Sequence, residues 1–160
     1  MTRLALTAIA ALTLAGCGPE ASSGGKTPEQ PAPTADQKTA LVAALPAPYN
    51  QADLQNGRAV FARCRSCHTV AAGGPNMTGP NLYGVFGRQA GGHPKFNYST
   101  AVKEAGFTWD ADHLDHWLEN PRTFLRGTKM SFAGLPDPTD RRDVIAWLKV
   151  ETGYTPAAGS

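Results

Sequence analysis

Cys64-Arg65-Ser66-Cys67-His68 is where this chain of 160 residues declares its chemistry. Two cysteines separated by two residues, with a histidine directly after the second, form the attachment sequence of haem c. Each thiol adds to a vinyl group as a thioether, and the adjacent imidazole is then held under the iron as proximal ligand. One turn of chain brings both sulfurs to neighbouring edges of one porphyrin, which puts His68 at the metal. A zinc half-site would need further thiols, but the only other cysteine, Cys17, lies in a hydrophobic leader. A thioredoxin-like pair would sit in a βαβ pattern, which is absent, and would leave His68 unexplained.

Towards the N-terminus, Met1 to Gly16 reads as a secretory leader, with Arg3 at its start and an apolar run from Leu4 to Leu14. That run is too short for a permanent membrane span. Its end, Leu14-Ala15-Gly16-Cys17, resembles the bacterial lipoprotein box, which implies a diacylglyceryl thioether on Cys17 and a new N-terminus there. All three cysteines would then be thioethers, with none left for a disulfide. The expected location is the bacterial periplasm, lipid-anchored, with the cytoplasmic membrane preferred. From residue 17 to 49 Pro, Ala, Ser, Thr, Gly, Glu and Gln dominate, and no aromatic residue precedes Tyr49, which predicts a flexible linker with a reach of roughly 30 Å. Leu41, Val42 and Leu45 suggest a brief helical turn stopped by Pro46 and Pro48. A formal charge of +2 gives no sign of nucleic-acid binding.

Around the pentapeptide the pattern is helical. The folded domain is expected over 50–154, with 155–160 as a tail. Asn50 is placed as the cap of the first helix, whose stripe is Leu54, Val60, Phe61 and Cys64. Gly57 costs that helix about 1 kcal/mol relative to alanine, which implies close approach by another element. Gly and Pro break every period from Thr69 to Asn97, a long loop that needs a surface to pack on. A short helix over Ser99–Ala105, a second capped by Asp110 with Leu114, Trp117 and Leu118 inward and Pro121 as its stop, and a last one opening at Asp137-Pro138 complete the set. No strand alternates convincingly. The fold class is all-α, with about four to five helices and a core too thin for its loops unless a large apolar cofactor completes it.

Residue types leave the sixth iron ligand open among Met130, Met77, His93, His113 and His116. Taken together, Cys64 to His68, Gly79-Pro80-Asn81-Leu82, Phe96-Asn97-Tyr98-Ser99, Trp109, Asn120-Pro121 and Gly127-Thr128-Lys129-Met130 resemble class I cytochrome c of the mitochondrial and bacterial c2 types, from about Asp53 to Glu151. The resemblance implies the cytochrome c fold with crossed N- and C-terminal helices around one haem c, joined through Cys64 and Cys67. It implies iron ligation by His68 and Met130, and a Pro80 carbonyl that orients His68. Arg88, Tyr98 and Trp109 would hold the propionates, Trp117 and Thr128 would line the pocket, and Gly57 and Phe61 would cross Val144 and Trp147. Three positions depart from the family pattern. Trp117 stands for a usual Tyr, Val102 for a commonly polar residue, and Arg126 for the Pro that precedes Gly127.

His/Met ligation leaves no open iron position, which suits one-electron transfer rather than catalysis. Arg63, Arg65, Arg122, Arg126 and Lys129 are expected around the exposed haem edge, to dock acidic partners. The leading expectation is a monomeric, membrane-tethered shuttle from a bc1-type quinol:cytochrome c oxidoreductase to a terminal cytochrome c oxidase. The alternatives are a haem enzyme of peroxidase type, a haem sensor, and a fixed electron-entry subunit of one oxidase.

Overall fold

The structure, a computed structural model, describes residues 33–153. The expected leader, Cys17, the linker up to residue 32 and the tail lie outside the described residues. Within them the order is α1 (Ala35–Ala43), a 3₁₀ turn (Tyr49–Gln51), α2 (Leu54–Phe61), α3 (Thr100–Lys103), α4 (Ala111–Glu119), α5 (Pro121–Phe124) and α6 (Pro138–Glu151). Among the described residues the only extended pairing is one antiparallel bridge, Gln89 with Thr108, so the fold is all-α as expected.

Local chemistry sets these boundaries. Asp53, not Asn50, caps α2, its carboxylate accepting the N–H groups of Gln55 (2.7 Å) and Asn56 (3.1 Å). Asn50 is taken up in the 3₁₀ turn, so the cap falls to the next acidic side chain. Asp110 caps α4 through the His113 N–H, and Asp137 caps α6 with Pro138 in its first turn. Pro121 ends α4 but also begins α5, because Asn120 accepts the Thr123 N–H and proline suits a first helical position.

The frame is the meeting of α2 and α6. A Cβ on Gly57 would lie 2.3 Å from the Asp143 carbonyl oxygen and 2.7 Å from the Trp147 Cβ, so only glycine lets the two backbones approach. Phe61 packs on Trp147 with ring centroids 4.6 Å apart. Asp143 is buried there and accepts from the Asp53 N–H, the Asn56 amide and the Arg142 guanidinium, so no bare charge is left inside. Arg141 ties α6 to α4 through Asp115 (2.9 Å) and also donates to the Leu135 and Pro136 carbonyls.

One finding differs from the linker reading. Residues 34–43 are not loose chain: Thr34 and Gln37 form a capping box, and α1 follows for nine residues. Val42, Leu45 and Tyr49 are buried, and Lys38 pairs with Glu151. The segment packs on α6, and it brings the α-helices among the described residues to six.

Candidate haem site

Helices α2, α4 and α6 and the loops between them line a cleft with about 1500 Å³ of empty space, counted out to where it opens to solvent. All ten cofactor residues expected from sequence line it: Cys64, Cys67, His68, Pro80, Arg88, Tyr98, Trp109, Trp117, Thr128 and Met130. Met77, His93, His113 and His116 do not, and Met77 is 46% exposed. Much of the remaining lining is apolar: Phe61, Leu82, Val85, Leu114, Leu118 and Leu148 are among it. Leu82 and Val85 went unassigned in sequence. Their signal was present, since apolar side chains inside a Gly/Pro loop need something to bury against.

His68 is the most constrained group. Its Nδ1 donates to the Pro80 carbonyl oxygen at 2.7 Å, which leaves Nε2 to face the cleft chemistry. Burial lowers its pKa, with the Pro80 bond opposing, so the imidazole is kept neutral as a metal ligand must be. A Cβ on Gly79 would meet the ring at 2.3 Å, which makes that glycine a spacer for the imidazole. Burial pushes the Cys64 thiol up to about 11, the opposite of the depressed value that a reactive redox pair needs.

Asn81 fixes the loop behind His68. Its amide donates to Thr69 Oγ1 (2.6 Å) and the Ala71 carbonyl (3.0 Å), and its Oδ1 accepts the Tyr83 N–H (2.9 Å). Arg88 donates to the carbonyls of Asn81 (3.1 Å) and Tyr83 (3.2 Å), so this side chain also braces the loop. Burial lowers the Arg88 pKa and raises that of Tyr98, and the charge of Arg88 partly offsets the latter. Trp117 lies edge-on to Trp109, centroids 5.4 Å apart. Val102 is buried in the wall.

The opposite wall is a turn. The Thr128 N–H bonds the Leu125 carbonyl (3.2 Å) with Gly127 at φ +88°, the pattern of a type II turn whose second position is Arg126. Thr128 Oγ1 accepts the Met130 N–H at 3.1 Å. Of the five basic residues expected at the rim, all are exposed, and Arg63 and Lys129 line the cleft. The Arg63 guanidinium stands 5.4 Å over the Phe132 ring.

Two thiols, a neutral imidazole with its outer nitrogen occupied, a thioether and an apolar cleft with cationic and phenolic groups fit a covalent haem. Helices closed around such a site define a c-type haem protein. The family model for cytochrome c matches residues 54–150, and the chain belongs to the cytochrome c family. Cytochrome c of Kluyveromyces lactis is 42% identical over 105 residues, covering 65% of this chain and 96% of that protein. Cytochrome c2 of Rhodomicrobium vannielii is 46% identical over 105 residues, covering 66% and 84%. The solved structure of cytochrome cH from Methylobacterium extorquens has a TM-score of 0.57 at 42% identity, covering 61% of this chain and 97% of that one. The cofactor is therefore haem c held by the Cys64–Cys67 pair, and the chain is an electron carrier of this family.

Proposed function

We propose that this cytochrome is a His68/Met130-ligated one-electron carrier tethered to a bacterial membrane through lipidated Cys17, passing electrons from a bc1-type quinol-oxidising complex to a terminal oxidase in the periplasm. The observation that carries the ligation is the convergence of His68 and Met130 on one cleft that excludes Met77 and the three other histidines. When bound, the haem supplies the reversible one-electron couple, and thioether ligation with an apolar surround raises its potential. The chain's own residues do the rest. Pro80 orients His68, Phe61, Leu114 and Leu148 keep water out, and Arg88 and Tyr98 offer a hydrogen-bonding end for the carboxylates.

Arg63 and Lys129 at the cleft support weak docking on an acidic partner. The leader and Cys17 support the tether, which would keep the carrier near membrane complexes at high effective concentration. A redox-titrated visible spectrum of the purified protein tests the ligation. A methionine–iron charge-transfer band in the oxidised form is expected, and its loss in Met130→Leu but not in Met77→Leu. Persistence of the band in Met130→Leu would sink the assignment. Membrane fractionation of wild type and Cys17→Ser tests the tether, and turnover of bc1 complex and oxidase with the purified protein tests the partners.

A further inference from the structure

Residues 34–49 precede the span 54–150 shared with the family, and none of them lines the cleft. They are nonetheless held at several points. Lys38 pairs with Glu151 in the last turn of α6, and Val42, Leu45 and Tyr49 are buried. The Lys149 ammonium lies 6.0 Å from the Tyr49 ring and 5.0 Å from the Phe86 ring. Among the helical elements, α1 packs only on the 3₁₀ turn and on α6.

A helix of nine residues does not persist in water by itself, even with a good cap. So α1 exists because it is docked, and undocking melts it. Undocking exposes Val42, Leu45 and Tyr49 with the patch of α6 beneath them, and breaks the Lys38–Glu151 pair and the Lys149–Tyr49 contact. It removes no wall of the cleft and no part of the Gly57 crossing. Few contacts hold a segment whose release frees many backbone torsions, the condition for local opening below global unfolding.

We propose that residues 34–49 form a latch, which when docked along α6, with Tyr49 beside Asp112 and Asp115 of α4, fixes where the N-terminal chain leaves the cytochrome domain, and which opens as a unit while the domain stays folded. Opening adds those residues to the length of chain between Cys17 and the domain, roughly 50 Å at full extension. Resting on the tether reading, this gives the carrier two reaches, one short and parked, one long enough to meet a more distant partner. Because no latch residue lines the cleft, the electron port stays open in both states.

Hydrogen exchange on the full-length holoprotein, read by segment, tests the latch without reference to any membrane. Amides of 38–45 are expected to exchange at least tenfold slower than free chain, and faster than those of α2 and α6. In Val42→Asp that protection disappears, while α2, α6 and the methionine–iron band are unchanged. Leu45→Ala, a milder change, loses only part of it. Free-chain exchange of 38–45 in wild type overturns the proposal. So does exchange matching that of α2 and α6, or loss of α2 protection in Leu45→Ala. Membrane fractionation of Cys17→Ser beside wild type reads the tether alone. If both are soluble, the two-reach consequence falls and the latch stands or falls on exchange.

Discussion

The two walls of the cleft are built differently. Behind His68, a ring nitrogen bonds the Pro80 carbonyl, the Gly79 N–H bonds Cys67 (2.9 Å), the Leu82 N–H bonds Thr69 (2.8 Å), and buried Asn81 ties three further groups. At Met130, the bonds are the turn at Leu125–Thr128, the Thr128 hydroxyl, and two long contacts of 3.4 Å from Lys129 Nζ to the Asn97 and Tyr98 carbonyls. One wall is fixed by packed backbone and buried amides. The other is a loop held at few points, and it carries Met130, the proposed second iron ligand. The difference places stability on one face and tunability on the other.

Crowding the rigid wall gives the largest effect. Gly79→Ala puts a carbon 2.3 Å from the His68 ring, and we expect a loss of about 3 kcal/mol, the upper end of overpacking costs, in guanidinium unfolding of the holoprotein. A loss below about 1 kcal/mol would break the contrast. Met130→Leu, on the loose wall, conserves volume. It should cost less than Gly79→Ala while abolishing the methionine–iron band, a separation of stability from ligation that only the loop side permits.

Arg126→Pro sharpens the comparison from the other direction. The second position of a type II turn suits proline, so the change should stabilise the loop by about 0.4–1 kcal/mol. We expect the thermal and alkaline midpoints for loss of the methionine–iron band to rise, and unchanged midpoints would remove the loop as the weak point.

The smallest expected effect concerns the latch, which belongs to neither wall. Burial, and then the charges of Asp115, Asp112 and Asp110, push the Tyr49 phenol from 10.0 to about 12, with Arg141 pulling weakly the other way. An open latch returns the phenol to its ordinary value, so between pH 10 and 12 the open form releases a proton that the docked form keeps. Tyr49 thus supports docking fully below pH 10 and progressively less towards pH 12. Lys149, whose pKa burial lowers, acts with the opposite sign as pH rises towards 10.5. Tyr49→Phe removes only the first contribution, so the melting temperature of wild type should fall more steeply than that of Tyr49→Phe above pH 10. Parallel slopes would dismiss it.

Covalent chemistry and caps were legible in the chain. Cys64 to His68 indicated the cofactor, Asp110 and Asp137-Pro138 marked two helix starts, and the cost of Gly57 pointed to close approach by another element, which the family resemblance identified as the last helix. The family resemblance supplied the lining residues, including Met130, which residue type alone left among five candidates. Of α1 only a brief turn at Leu41, Val42 and Leu45 was legible, since the surrounding composition is that of a linker and its order depends on α6, where Glu151 stands more than a hundred residues later in the chain. The choice of Asp53 over Asn50 also depended on context, because both are competent caps and the preceding turn decides between them.

The crossing of α2 and α6 also imposes an order of assembly. Phe61 stands three residues before Cys64, whereas Val144 and Leu148, which close the same cleft, arrive some eighty residues after it. A chain made from its N-terminus therefore presents both thiols and His68 long before their far wall has been synthesised. Haem joined at that stage would meet an open half-site, which the last helix to be made then closes.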